Sequence, residues 1–283
     1  MTNPSDPSPW VPVEAAFTAT DAFVEGLHLR EYEPRSRVTP RPPLLMVHGG
    51  FQAAWVFSYW GPIFATLGWR ALALSLRGHG RSWQPGDDVF AKTRVEDYAD
   101  DVETLSRTLG EDPPLLGHSL GGLVVQRVAR RGIGKALVLV ASVVSPQLLG
   151  RPPRPFFPEE APLAFNAYTS EPVSQRHFYN DGLRVGALVD ESMGRESPAA
   201  LNDSGGGRLT SAPEDISVPV LSVHGSRDVT GVPDARAVAA LFGGTALEIP
   251  DCGHCVMLDG VSHRAALLVD DWLQRHLRSS DSS

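Results

Sequence analysis

Residues 112–131 read DPPLLGHSLGGLVVQRVARR, a short apolar stretch that runs straight into a helix-like pattern. The junction is Gly117-His118-Ser119-Leu120-Gly121-Gly122, one serine set among glycines. A strand that becomes a helix without a loop forces its corner residue into an unfavourable backbone conformation. It also brings backbones so close that neighbouring side chains would block the crossing. Glycines at 117, 121 and 122 remove that obstruction. A helix beginning at Leu120 aims its free N–H groups at any negative oxygen formed beside Ser119. Pro113 and Pro114 confine the strand to the few residues after them.

The alternation of apolar strand and amphipathic helix recurs along the chain. PPLLMVHGG and RALALSLRGHGRS each read as a buried strand ending in a Gly-rich turn, with the helical spacing of YWGPIFATLGW between them. RVEDYADDVETLSRTLG places Val95, Tyr98, Val102 and Leu105 on one helical face and acids on the other. KALVLVASVV, SVPVLSVHGSRD and GTALEIPDCGH are further strands, with DARAVAALFGG and HRAALLVDDWLQRHL as helices. VEAAFTATDAFVEGLHLREYEP predicts an antiparallel pair at a sheet edge, two strands on either side of Thr20-Asp21. The rhythm predicts an α/β fold: a mostly parallel central sheet with helices on both faces. Chemistry in such sheets gathers at the carboxyl ends of strands. His48-Gly49-Gly50, Ser119, Asp228 and His254 all fall there.

Residues 147–213 break the rhythm. SPQLLGRPPRPFFPEEAPLAF is Pro-rich, LNDSGGGRLTSAPED is a connector, and short helix-like pieces lie between them. They are expected to form a small inserted helical lid. The core would then be 13–146 and 214–279, after a flexible lead at 1–12. A net charge of -8 with scattered arginines argues against nucleic-acid or anionic-membrane partners. No apolar run is long enough to span a bilayer. MTNPSDPSPWVP has neither the charged nor the apolar region of a secretory leader, so the expected location is cytoplasmic.

A serine hydroxyl is a weak nucleophile until a base takes its proton. IPDCGHCVMLDG supplies His254 in the loop after the last apolar strand, and VLSVHGSRDVTGVP supplies Asp228 after the preceding one. Asp251 and Asp259 stand near as alternative acids. The order Ser119, Asp228, His254 is that of a Ser–acid–His triad on an α/β sheet. CGHC does not read as a metal site, because zinc takes about four ligands and no second pair is present. Haem attachment would place the histidine after the second cysteine. Two buried thiols at Cys252 and Cys255 are the expectation, with no metal and no cofactor. His48 is expected to brace the loop after its strand and His79 a turn. His118 should pack under the elbow, and His224 should be buried and hydrogen-bonded.

Taken in order, LLMVHGG, ALSLRGHGRS, LLGHSLGG, VLSVHGSRD and IPDCGH resemble the α/β-hydrolase superfamily over nearly the whole chain, in its serine-nucleophile branch. HGGFQAAWVFSYW resembles the corresponding loop of small esterases and hydroxynitrile lyases. The resemblance implies an α/β-hydrolase fold in which the backbone N–H groups of Gly50 and Leu120 form an oxyanion hole. It also implies a cofactor-independent serine hydrolase acting on a small ester or lactone with an apolar part. Phe51 and Trp55 beside the loop, and Phe157 and Phe178 in the insertion, are candidate pocket residues, though each equally suits core packing. The same apparatus serves lyase, C–C hydrolase, acyl-transfer or perhydrolase chemistry, and a non-catalytic ligand receptor would keep the same pocket. Epoxide or haloalkane hydrolysis fits poorly, because an alkyl ether on Ser119 would have no carbonyl through which water could release it.

Overall fold

The computed structural model describes residues 16–35, 41–153, 156–165, 192–206, 208–209 and 213–280. Strands β3 (Leu44–Val47), β4 (Ala71–Leu74), β5 (Leu115–His118) and β6 (Leu137–Val140) are buried along their whole length. Near-continuous apolar sequence is what a strand covered on both faces requires. These four run parallel with β9 (Val220–Gly225) and β10 (Thr245–Ile249). β1 (Phe17–Val24) and β2 (Leu27–Pro34) join antiparallel at one edge. The strand order is β1-β2-β4-β3-β5-β6-β9-β10, the mostly parallel sheet that the alternating pattern predicts.

Successive side chains enter opposite cores. Leu44, Met46, Val138 and Val140 pack with Trp60 and Phe64 of α1 (Trp60–Thr66) and with Val269 and Trp272 of α6 (Ser262–Ser280). Leu45, Val47, Leu137 and Leu139 pack with Val102 and Leu105 of α2 (Val95–Thr108) and with Leu123 and Val128 of α3 (Leu120–Arg130). Val238 of α5 (Ala235–Phe242) joins this second core. Each such apolar side chain contributes about 1.5–3 kcal/mol by leaving water, so the period-two pattern fixes which face each helix covers.

The edge hairpin differs from expectation. Its turn is Glu25-Gly26, with φ of 49° and 80°, the two left-handed positions that a two-residue hairpin turn demands. Thr20-Asp21 is not a break but the middle of β1. Asp21 lies opposite Arg30, and its carboxylate meets His28 at 3.1 Å and Arg30 at 3.2 Å. Those cross-strand partners satisfy the acid without a turn.

Within 147–213 the described residues include β7 (Leu163–Ala164), paired antiparallel with β8 (Arg195–Glu196), and α4 (Pro198–Gly205). The Ser197 side chain caps α4 by accepting from the Ala200 N–H. α4 docks on the start of α2 through a buried acid. Asp203 pairs with the Arg94 guanidinium and accepts from the Val95 N–H at 3.2 Å. α4 is thereby tied to the start of α2.

At the elbow, α3 starts so close to β3 that a Cβ on Gly121 would lie 2.2 Å from the His48 carbonyl oxygen and 2.5 Å from that of Val47. Both are backbone atoms, which can yield only if helix and strand part. Gly121→Ala is therefore expected to cost about 3 kcal/mol, the upper end of overpacking. The loss should appear as a lower urea midpoint at unchanged slope.

Candidate active site

Ser119 sits at φ 50° and ψ −116°, a conformation that a non-glycine residue holds only under constraint. The constraint is visible at both ends of the residue. Its N–H donates to the Val140 carbonyl, and its own carbonyl accepts from Gly122 and Val143, each at 3.0 Å. From residue 113 to 126 every position is buried except Ser119. The elbow thus holds a partly open hydroxyl at the carboxyl end of β5.

The candidate acid and base, Asp228 and His254, follow β9 and β10. β9 finishes at Gly225, where a Cβ would lie 2.2 Å from the Gly253 carbonyl oxygen and 2.3 Å from that of Cys252. The Arg227 N–H donates to the Cys252 carbonyl at 2.9 Å. This approach lays the loop after β9 against the loop after β10. Asp228 Oδ2 consequently stands 2.7 Å from His254 Nδ1. Its Oδ1 accepts from the Thr230 N–H at 2.8 Å and the Thr230 hydroxyl at 2.7 Å. Burial alone would raise the Asp228 carboxyl, but the facing His254 and these hydrogen bonds outweigh it and pull the group down to about 2. An ionised acceptor at Nδ1 keeps a ring proton there and leaves Nε2 as the basic nitrogen. The His254 ring lies 4.8 Å from the ring of His118, the residue before Ser119. Of the other nearby acids, Asp251 is exposed and pairs with Arg227, while Asp259 accepts from the Gly253 N–H at 3.1 Å.

The loop after β3 is pinned residue by residue. His48 Nδ1 donates to the Gly49 carbonyl at 2.8 Å, and its Nε2 accepts from the Leu76 N–H at 3.1 Å. Burial, and then the charge of His79, push its pKa down to about 3, so it is a neutral brace, as its position suggests. Gln52 Oε1 accepts from the Gly49 N–H at 2.9 Å and lies 3.0 Å from His118 Nδ1. Phe51 takes a left-handed φ of 64°. Its N–H donates to Glu196 at 3.1 Å, and its carbonyl accepts from the Gly194 N–H at 2.7 Å. Gly50 is held between these anchors, facing Leu120: a Cβ on it would lie 3.6 Å from Leu120 Cδ2.

The candidate pocket residues divide. Phe51 is buried, and its ring meets Phe165 of the insertion edge-on at 5.3 Å. Trp55 is half-buried, and its indole Nε1 has no hydrogen-bond partner among the described residues. Phe157 is fixed instead to α4, its N–H on Asn202 Oδ1 at 2.7 Å and its carbonyl on Asn202 Nδ2 at 2.9 Å. Phe178 lies outside the described residues. A cavity of about 270 Å³, walled by Val143, Val144, Leu149, Val232 and Pro233, opens between the loop after β6 and the stretch following Thr230.

Other expectations meet mixed outcomes. Cys252 and Cys255 are buried free thiols, and burial raises the Cys252 thiol, which keeps it protonated. His118 packs under the elbow, where burial and then His254 hold it neutral. His224 is buried but not hydrogen-bonded through Nδ1, which stands 3.9 Å from Asp228 Oδ2 with no partner among the described residues. The carboxylate it faces is already taken by His254 and Thr230. Glu196, Gln52 and Thr230 escape the sequence analysis, and Tyr98 enters it only as part of an apolar helix face. Only Thr230 carries a local signal, since an acid two residues ahead of a threonine makes an Asx turn. Among the described residues there is no cluster of His, Cys, Asp and Glu that could hold a metal ion, and no helix is long and apolar enough to cross a membrane.

The model of the alpha/beta hydrolase family matches residues 44–270. A non-heme chloroperoxidase of Streptomyces lividans is 30% identical over 250 residues, covering 78% of this chain and 84% of that protein. Protein phosphatase methylesterase 1 of Mus musculus is 31% identical over 99 residues, which are 34% of this chain and span only 26% of the length of that relative. Among solved structures, the enol-lactonase of Burkholderia xenovorans LB400 superposes with a TM-score of 0.67 at 22% identity, over 90% of this chain and all 100% of that one.

The Asp228 carboxyl sets an acid limit on stability. Its folded pKa of about 2 lies below the value of about 3.9 for an unfolded aspartate. Its contribution is complete above about pH 4 and disappears as the pH falls through about 2. Between those limits the unfolding free energy of the wild type, read from urea titrations, is expected to fall more steeply than that of Asp228→Asn, by on the order of 1–2 kcal/mol.

Proposed function

The chain belongs to the alpha/beta hydrolase family, and on that premise we propose that it is a serine hydrolase cleaving a small carboxylic ester or lactone. The observation that carries the reading is the buried Asp228–His254 pair at 2.7 Å, set at the end of the sheet where Ser119 stands partly open on its strained corner. His254 Nε2 takes the Ser119 proton as Oγ attacks the substrate carbonyl, and the imidazolium then protonates the leaving alcohol. Asp228 holds the ring in the required tautomer and stabilises the imidazolium without itself becoming protonated. The N–H groups of Gly50 and Leu120 receive the oxyanion. Water, deprotonated by His254, attacks the acyl-enzyme, releases the acid and returns Ser119.

A cavity beside the site supports the apolar substrate class. The cavity between the loop after β6 and the loop after Thr230 is lined mostly by valine, leucine and proline. Val143 at its edge is one hydrogen bond from the Ser119 carbonyl. Such a lining favours an apolar acyl or alcohol group, with Arg151 as the one charged residue beside it among the described residues. The kinship with a chloroperoxidase favours a second reading of the final step. Hydrogen peroxide in place of water would discharge the same acyl-enzyme to a peracid, with Ser119 again leaving as the alkoxide that His254 reprotonates.

A fluorophosphonate probe is expected to label Ser119, and p-nitrophenyl butyrate to be hydrolysed. Ser119→Ala should lose both reactions while keeping its fold. Asp228→Asn should lower kcat by about 10⁴, because the ring then adopts the wrong tautomer. A wild-type protein that the probe leaves unlabelled would sink the reading. Peracid formation from acetate and hydrogen peroxide distinguishes the second final step from the first.

A further inference from the structure

Resting on the hydrolase reading, we propose that Glu196 is a positioning residue that sets the oxyanion hole, clamping the loop after β3 from the return limb of the insertion. The carboxylate is completely buried, and four donors converge on its two oxygens. Oε2 accepts from the Phe51 N–H at 3.1 Å and from His79 Nε2 at 3.2 Å. Oε1 accepts from the Tyr98 hydroxyl at 2.6 Å and from the Ser197 N–H at 2.7 Å. Two residues upstream, the Gly194 N–H donates to the Phe51 carbonyl at 2.7 Å. Segment 194–196 therefore grips Phe51 by both its N–H and its carbonyl. Phe51 occupies a left-handed conformation, and such a conformation persists only where surrounding contacts over-determine it. The residue it directs is Gly50, whose N–H is one half of the proposed oxyanion hole.

A carboxylate so close to a developing oxyanion would oppose catalysis unless its charge were matched. A Cβ on Gly50 would lie 3.3 Å from Glu196 Oε2. His79 supplies the match. Its Nδ1 faces the Arg77 carbonyl at 2.9 Å and its Nε2 faces Glu196. A ring with acceptors at both nitrogens carries both protons and one positive charge. Burial would lower the His79 pKa, but Glu196 outweighs it and the net shift is upward; for Glu196, burial is outweighed by His79 and the shift is downward. The clamp is a neutral ion pair, with the Tyr98 hydroxyl and two backbone N–H groups filling the remaining acceptor sites.

Glu196→Gln tests the clamp. An amide can accept on only one side, so its NH₂ must face donors on the other and the grip on Phe51 loosens. The second-order rate of fluorophosphonate labelling of Ser119, which also develops negative oxygen in the hole, is expected to fall together with kcat for p-nitrophenyl butyrate. A fall of about 10–100-fold fits the sensitivity of reacting groups to sub-ångström misplacement. KM should change by less than about threefold, since the hole acts on the transition state. Tyr98→Phe removes one donor and leaves the carboxylate, so a smaller fall of the same kind is expected. It carries the test should Glu196→Gln fail to fold. Asp203→Asn is the structural control: it weakens the docking of the same limb through Arg94 without touching Phe51, and should lower Tm while leaving kcat within about twofold. Loss of kcat in Asp203→Asn equal to that in the clamp variants would overturn the clamp, as would full activity in both clamp variants. A wild type that the probe cannot label would remove the hydrolase reading itself, and the clamp with it.

Discussion

The structure turns on backbone meeting backbone at the start of α3. Gly121 lies against the carbonyls of Val47 and His48 with no room for a side chain, and this contact fuses β3, β5 and α3 into one unit. The left-handed geometry of Ser119 is its consequence. The chain must leave β5 and enter the helix within a single residue, and the hydrogen bonds to Val140, Gly122 and Val143 leave that residue no alternative. The same contact sets the loop after β3 beside the helix N-terminus. On the proposed reading, the nucleophile and the oxyanion donors are therefore not separate devices that happen to lie together, because the positions of Ser119, Leu120 and Gly50 all follow from one close approach.

Proton placement then separates the histidines by environment. His48 and His118 are buried with little opposing charge, and desolvation holds them neutral. They serve as hydrogen-bonding braces. His79 is equally buried but faces an ionised carboxylate, which reverses the outcome. His254 has an acid on Nδ1 and lies beside the elbow. Four imidazoles within a few residues of the same strand ends thus divide into two neutral braces, one ring shifted toward its charged form by Glu196 and one candidate base. In a low-dielectric site this division matters on the proposed reading, because an unmatched charge near the hole would act on the transition state with little screening.

Much of this was legible in the residue pattern because the signals are local. Four apolar residues followed by a glycine or a polar turn mark a strand end, and glycines crowded round one serine mark the corner. The placement of β3 to β6, of Asp228 and of His254 at strand ends needs nothing more. The sequence pattern points to a turn at Thr20-Asp21 because Asp21 looks like a turn residue, whereas its cross-strand partners His28 and Arg30 keep it in β1. Glu196 was illegible for a deeper reason. Its partners Phe51, His79 and Tyr98 lie about a hundred residues or more away in sequence, and no periodicity joins a strand end to an insertion. For His224, the expectation of a hydrogen bond rests on burial alone. Burial sets the cost of leaving a nitrogen unpaired, but it cannot say whether the nearest acceptor is already occupied.

The Glu196 and Asp203 anchors bear on how such a chain can vary its chemistry. Core strands supply Ser119, Asp228 and His254, and their relative positions depend on backbone contacts that tolerate little change. Phe165 sets its ring against Phe51, and segment 194–203 is held by two buried carboxylates and by the Ser197 cap. On the proposed reading, a segment so held separates two tasks. On that reading Phe165 can change without moving the peptide that directs Gly50, because the ring contact with Phe51 and the grip of Gly194 and Glu196 on its backbone are separate contacts. Binding and rate would then be adjustable one at a time.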